Sequence, residues 1–332
     1  LLVSADNDFA CDEPATSFDC TGSGAVYFYQ KVSGSWSLSR LLKSPLVNKQ
    51  LPDGRRNQHG NFGLSVDFSG DGNFFVVGAP NDLSDSRGIN GEFPVENNSR
   101  GVTKGAVYLY EIAGAMPSLS EQFFSYNDNP GADVPGDGSM GNSFDDFFGS
   151  SVQLNGSGSI LAIAAEQQPS LGPGINSSDE DLRRNTSGAV YIFDKENSHW
   201  KRQTFIKSSN TDAFDFFGKS IQLSDDGETL LVTAHNEDSS SEGVMANNPD
   251  DNSSVDSGSA YVFDYVEGEW QQSYYVKPPK VSTFLRFGFS SSMSADGERF
   301  VVSSVGDDSG SQTINGDDTD ISAENSGSSF IY

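Results

Sequence analysis

Apolar residues along this chain come in runs of four to seven, separated by stretches rich in Gly, Ser, Asn and Asp, and no long stretch carries helical spacing. Alternation with period two predicts half-buried strands, and short continuous runs predict strands covered on both faces. Four segments align without a gap: Phe62-Gly63-Leu64-Ser65-Val66, Phe148-Gly149-Ser150-Ser151-Val152, Phe217-Gly218-Lys219-Ser220-Ile221 and Phe287-Gly288-Phe289-Ser290-Ser291. In each, a second glycine follows at the same offset: Gly72, Gly158, Gly227 and Gly297, preceded by Asp71, Ser157, Asp226 and Asp296. A Gly at a fixed place between two apolar segments predicts a tight hairpin turn, because Gly accepts positive φ. The first strand of the hairpin alternates, as in Phe62, Leu64, Val66 and Phe68, which predicts one buried face. The second is more continuously apolar, over 74–79, 160–165, 230–234 and 300–302.

A third block recurs five times, opening at Gly24, Gly105, Gly188, Gly258 and Gly327, and reads Gly-Ala-Val-Tyr in its fullest form. Its aromatic and β-branched alternation predicts a strand. A looser fourth strand follows four times, around 36–42, 119–126, 200–206 and 270–276, with the polar alternation of an outer edge. The Phe-Gly glycines are spaced by 86, 69 and 70 residues, so unit length varies in loops and not in strands. The expected fold is therefore all-β: one β-propeller array of four-stranded antiparallel blades, about five units, with the first and last incomplete. The units run about 1–50, 51–130, 131–210, 211–280 and 281–332. Leu1 aligns inside a second strand and Tyr332 with the end of a third, so the register predicts a piece of a larger propeller. Recurrence in every copy makes Tyr27, Tyr108, Tyr191 and Tyr261 packing residues, and Trp36, Trp200 and Trp270 caps over blade edges.

Charge narrows the possible partners. The formal net charge is −27 and the mean hydropathy is −0.45. So negative a surface repels phosphate backbones, which argues against nucleic acid, and no apolar run approaches the ~20 residues that span a bilayer, which argues against direct membrane insertion. Cys11 and Cys20, local and far from any His, are a candidate loop-closing disulfide in an oxidising compartment; two free thiols are the alternative. Five glycosylation sequons, at Asn97, Asn155, Asn176, Asn185 and Asn252, are no more than the Asn, Ser and Thr content supplies by chance.

Phe-Gly opening one strand, Val77-Gly78-Ala79-Pro80 ending the next and Gly-Ala-Val-Tyr opening the third together resemble the FG-GAP repeat, the propeller blade of integrin α-chain heads and many secreted proteins. The resemblance covers nearly the whole chain, and its short Ser-x-Asp-Gly turns look like the variant common in microbial surface proteins. It implies a seven-bladed whole and a role in binding or adhesion. Calcium-binding integrin blades carry an Asp-x-Asp-x-Asp-Gly loop between the first and second strands. Here that connection is a tight turn with at most two acids, Asp225-Asp226, so calcium is not supported and no cofactor is expected. Asp317, Asp318 and Asp320 are the remaining weak metal candidates, with a solvated acidic loop as the plain alternative.

Catalytic patterns are sparse. The three histidines, His59, His199 and His235, share no motif, and no Gly-x-Ser-x-Gly elbow stands at a strand end. No catalytic residue is assigned. The Phe-Gly and turn positions (Phe62, Gly63, Gly72, Phe148, Gly149, Gly158, Phe217, Gly218, Gly227, Phe287, Gly288 and Gly297) build the repeat, and function is expected where the copies differ. They differ in the second-to-third strand loops, such as 81–104, 166–187 and 235–257, and in the connections 44–61 and 127–147. Both sets emerge at one end of a propeller, with Arg55-Arg56 and Arg183-Arg184 as basic exceptions. The expected function is an extracellular or cell-surface module that presents these acidic loops to a protein or glycan partner. A structural spacer without its own ligand is the alternative, and a propeller hydrolase the least favoured.

Overall fold

A computed structural model of the chain describes residues 1–7, 23–46, 60–84, 86–91, 93–94, 104–114, 116–126, 146–170, 172–177, 186–244, 251–316 and 320–332. It is a five-bladed β-propeller, all-β, with no helix among the described residues. Blade 1 comprises β1 (Leu2–Ala5), β2 (Ala25–Val32) and β3 (Ser35–Leu42). Blade 2 comprises β4 (Ser65–Phe68), β5 (Phe74–Ala79), β6 (Ser86–Ile89), β7 (Phe93–Pro94), β8 (Ala106–Ala113) and β9 (Met116–Phe124). Blade 3 is β10 (Phe148–Leu154), β11 (Ile160–Ala165), β12 (Ala189–Glu196) and β13 (His199–Ile206). Blade 4 is β14 (Phe217–Leu223), β15 (Thr229–Ala234), β16 (Ser259–Val266) and β17 (Glu269–Val276). Blade 5 is β18 (Phe287–Met293), β19 (Phe300–Ser304) and β20 (Ser328–Ile331).

Neighbouring strands in each sheet are antiparallel and, apart from the β6–β7 addition to blade 2, follow chain order. The second-to-third strand loops and the connections between blades therefore emerge at one end, and the Ser-x-Asp-Gly turns at the other. First strands β4, β10, β14 and β18 touch one another in succession and form the inner layer. The second strands of blades 2, 3 and 4 are the most enclosed: every residue of β11 after Ile160 is fully buried, as expected of a strand covered on both faces.

The two strongest sequence motifs are one interaction seen from two blades. The glycine opening the third strand of one blade forms a parallel bridge with the Phe of the next blade's Phe-Gly: Gly24 with Phe62, Gly188 with Phe217, Gly258 with Phe287. The Phe amide donates to the residue before that glycine, at 3.1, 2.9 and 3.0 Å. A Cβ on Gly188 would lie 2.0 Å from the Phe217 carbonyl oxygen, and its φ is +84°, so only Gly fits the crossing.

Phe62, Phe148, Phe217 and Phe287 are fully buried, but the expected alternation along the first strand breaks immediately after them. Leu64 is 43% exposed. Gly149 and Gly218 have φ of +94° and +101°, and pairing jumps from Phe148 to Val152 and from Phe217 to Ile221. This is a β-bulge, which moves the residue after each Phe-Gly off the buried face.

Apolar seams hold the blades together. One cluster joins blades 1 and 2 around Phe75 and Tyr108, a second joins blades 2 and 3 around Phe148 and Tyr191, a third joins blades 3 and 4 around Phe217 and Tyr261, and a fourth joins blades 4 and 5 around Phe287. Tyr108, Tyr191 and Tyr261 are wholly buried there, as packing residues. Trp200 and Trp270 are buried against the preceding blade, Trp200 edge-on to Phe123 at 5.5 Å. Trp36 departs from the expectation of a covered cap: it is 56% exposed, with the Lys31 ammonium 6.0 Å from its ring.

Candidate functional site

The residue before each Phe-Gly adopts positive φ: Asn61 50°, Phe147 54°, Phe216 55° and Arg286 54°. A turn requires this conformation, since the residue after Phe-Gly donates back to its carbonyl, Leu64 to Asn61, Ser150 to Phe147 and Lys219 to Phe216. Asn accepts it readily, whereas Phe and Arg do so at a cost. Two residues earlier the strain repeats, at Phe214 (71°) and Phe284 (62°). Hydrogen bonds fix the second of these, with Phe284 donating to Val255 at 2.7 Å and Arg286 to Asp256 at 3.0 Å. Both rings stand in solvent, 54% and 56% exposed.

At the long-loop end of the inner strands lies a mixed aromatic and charged cluster. His235 follows β15; its ring sits 5.6 Å from Phe216 and 6.0 Å, edge-on, from Phe289. Burial first, then the Lys219 and Arg286 charges, push its pKa down to about 4, so the ring is neutral at physiological pH. Its Nδ1 is buried with no hydrogen-bond partner among the described residues. Lys219 lies 5.3 Å over the Phe289 ring and 3.6 Å from Glu166, whose carboxyl is raised by burial and partly restored by that lysine. These positions, in the inner strands (Lys219, Phe289) and just outside strand ends (Glu166, Phe216, His235), are ones that the repeat does not keep constant. His235 carried no motif in the sequence; its alignment with Pro80 and Glu166, one residue past each second strand, was the only signal for it.

A second polar cluster is wholly interior. Lys277 donates to Glu237 at 2.8 Å and to the Ser257 hydroxyl at 2.7 Å, and Glu237 also accepts from Tyr275 and Asn210. Lys207 donates to the Ser187 hydroxyl at 2.7 Å, to the Gly188 carbonyl at 2.7 Å and to Gln168 at 3.4 Å. Burial lowers the Lys207 ammonium to about 7 and raises the Asp215 carboxyl to about 8. A lysine 2.7 Å from a serine has the geometry of a Ser–Lys catalytic pair. Here the serine hydroxyl is committed to two carbonyls, Gln168 and Ser170 for Ser187, Glu237 and Ser239 for Ser257. Both lysines are fully buried, and the arrangement repeats in two blades. It ties the third and fourth strands to the end of the second, and it is a structural peg.

The other sequence candidates divide cleanly. The turn glycines Gly72, Gly158, Gly227 and Gly297 have φ of 71°, 67°, 79° and 73°, as the hairpins require. The turn acids are spent on the turn: Asp71 accepts from Ser69 at 2.6 Å and from the Asn73 amide at 2.9 Å. Asp320 accepts from the Ser322 amide at 3.0 Å; Asp317 and Asp318, like Cys11 and Cys20, lie outside the described residues. Among the described residues, no three His, Cys, Asp or Glu side chains come together as metal ligands. Asn155, one of the sequons, is buried and accepts from the Ser159 and Ile160 amides at 2.9 Å.

The fold and this rim define a repeat β-propeller with a strained aromatic edge at its long-loop end. No family model matches the chain, and no curated protein matches it in sequence. Among solved structures it is similar to a candidate 6-phosphogluconolactonase from Bacteroides uniformis, at 11% identity and a TM-score of 0.38, over 85% of this chain and 58% of that one. It is also similar to a hypothetical selenium-binding protein from Sulfolobus tokodaii, at 9% identity and a TM-score of 0.33, over 92% of this chain and 68% of that one. The chain thus spans less than two thirds of the length of the first of these.

Proposed function

We propose that this chain is an extracellular or cell-surface binding propeller whose long-loop end receives a protein or glycan partner. The observation that carries the reading is the pair Phe214 and Phe284, bulky side chains held at positive φ and left more than half exposed. Each costs roughly 1–2 kcal/mol in backbone strain, and such strain gathers at ligand sites. An exposed aromatic ring supplies a flat apolar face for a sugar ring or an anchor for a protein pocket. The net charge of −27 favours neutral or basic partners over anionic ones. The likeness of the Phe-Gly and Gly-Ala-Val-Tyr strands to FG-GAP blades points the same way, toward adhesion.

Phe214→Gly and Phe284→Gly relieve the strain and remove the rings. The double variant is expected to melt no lower than the parent and to lose binding at least tenfold on a glycan array and on intact cell surfaces. A stable double variant that binds as the parent does would overturn the reading. A parent chain that binds neither surface would leave the spacer role in its place.

A further inference from the structure

The inner strands spread apart from the turn end to the long-loop end. At the turn end backbone meets backbone across blades: the Asp71 amide donates to Gly156, the Gly156 amide to Asp225 and the Asp225 amide to Ala295, each at 2.8 Å. A Cβ on Gly156 would lie 2.9 Å from the Asp225 carbonyl oxygen, so closely do blades 3 and 4 approach there. Further along, one short side chain fills the gap. The Leu154 amide donates to the Asp67 carboxylate at 2.7 Å, and the Ser65 hydroxyl to the Gly149 carbonyl at 2.8 Å. Between blades 4 and 5 two are needed, the Ser220 and Ser291 hydroxyls at 2.9 Å. At the long-loop end each Phe-Gly has moved outward, to bridge the third strand of the preceding blade. There the long Lys219 side chain spans the gap, toward Glu166 of blade 3 and the Phe289 ring of blade 5. The inner layer is a funnel, tied by backbone at the turns and widest below the long loops.

The mouth of the funnel holds polar groups with capacity to spare. Lys219 and Glu166 are 3.6 Å apart, an ion pair too long for a hydrogen bond, and both side chains still touch solvent. An ammonium and a carboxylate can each make several hydrogen bonds, so this contact leaves most of both unspent. Phe289 is 42% exposed and presents a ring between Lys219 and the edge-on His235. The charges balance. Glu166 opposes Lys219, and Asp256, whose carboxyl is raised by burial and by Asp238, is partly restored by Arg286. His235 adds no charge at neutral pH.

We infer that this mouth, between blades 3 and 5, is a binding subsite for an uncharged sugar residue. The inference rests on the binding role proposed above and narrows the partner to a glycan. A hydroxyl both donates and accepts, so neighbouring sugar hydroxyls can satisfy Glu166 and Lys219 together. The apolar face of the sugar ring lies on Phe289. A few convergent polar groups among aromatic rings is the usual make-up of a small-ligand site. Glu166 disfavours an anionic sugar, and Lys219 with Arg286 disfavours a cationic one.

The test is ligand-observed NMR on the 332-residue chain with the methyl glycosides of glucose, galactose and mannose, beside glucuronate and glucosamine. At least one neutral glycoside is expected to bind saturably, and both charged sugars at least tenfold more weakly. Phe289→Ala and Lys219→Met are each expected to weaken the neutral sugar at least tenfold without lowering the melting temperature. Glu166→Gln removes the acid beside Lys219 and is expected to raise glucuronate binding at least tenfold, a gain that no folding defect gives. Absence of saturable neutral sugar, preference of the parent for glucuronate, or unchanged binding by a folded Phe289→Ala chain would overturn the inference. If no sugar binds while the parent holds cell surfaces and the Phe214 and Phe284 double variant does not, this subsite fails and the broader binding role stands.

Discussion

At the close of each fourth strand one position decides how a blade end is tied. Lys207 and Lys277 fill it in blades 3 and 4, and Lys43, which donates to the Gly24 carbonyl at 2.9 Å, fills it in blade 1. Blade 2 exchanges the pair: buried Ser125 stands at the strand end and buried Lys104 before the third-strand glycine. The exchange conserves one cation and one hydroxyl per blade end, which is what the local carbonyls require. Close by, Asp215 has its pKa raised from 3.8 to about 8, by burial first and then by the Glu237, Asp212 and Asp238 charges. The folded chain therefore holds a proton there that the unfolded chain has released, and its stability falls as pH rises from about 4 to about 8. Asp215→Asn is expected to match the parent near pH 4 and to exceed it by about 1–3 kcal/mol at pH 8, measured by urea unfolding at both values. An equal difference at both pH values would place the proton elsewhere. None of this was legible in the sequence, because buried lysines look like any others until strand ends are brought together.

Elements show how context, more than residue type, sets an energy. Trp200 and Trp36 occupy one repeat position, yet Trp200 is 7% exposed and Trp36 is 56% exposed. Trp200→Ala is expected to cost about 3–5 kcal/mol, the value for emptying a packed aromatic site. Trp36→Ala is expected to cost no more than about 0.5 kcal/mol, as at an ordinary surface position. Thermal unfolding of the two variants side by side checks the contrast. The hairpins and the third strand were legible in advance because their signals are local: a positive-φ glycine in the turn and aromatic alternation in the strand. The bulge after Phe-Gly was not, since the alternation Phe62, Leu64, Val66 survives in the sequence while the backbone steps out of register. The hold that Asn90 and Asn176, both at positive φ, take on the fourth strand through Gln122 and Phe205 was also missed. Gly88-Ile89-Asn90 and Gly174-Ile175-Asn176 sit inside loops whose lengths differ, and only their 86-residue spacing, the same as that between Gly63 and Gly149, gives them away.

For the whole molecule, a net charge of −27 means that folding gathers like charges, and screening should relieve the repulsion. Raising ionic strength from roughly 0.01 M to about 0.15 M shortens the screening length from about 30 to about 8 Å. The melting temperature is expected to rise over that range, and scanning calorimetry in sodium chloride would read it; a flat or falling profile would show that surface repulsion is not limiting. The seams between blades are apolar and little affected by salt, so the gain belongs to the surface.

By itself the sequence determined the all-β class, the repeat, the order of strands and the turns. Each rests on neighbours in the chain or on a period, and period survives without coordinates. Only the tertiary structure decided that Phe-Gly and the third-strand glycine are one crossing between blades. It alone set Lys207, Lys277 and Glu237 as interior pegs and left Phe214 and Phe284 strained and exposed. Those facts depend on which distant segments meet, and burial, strain and pKa are properties of that meeting.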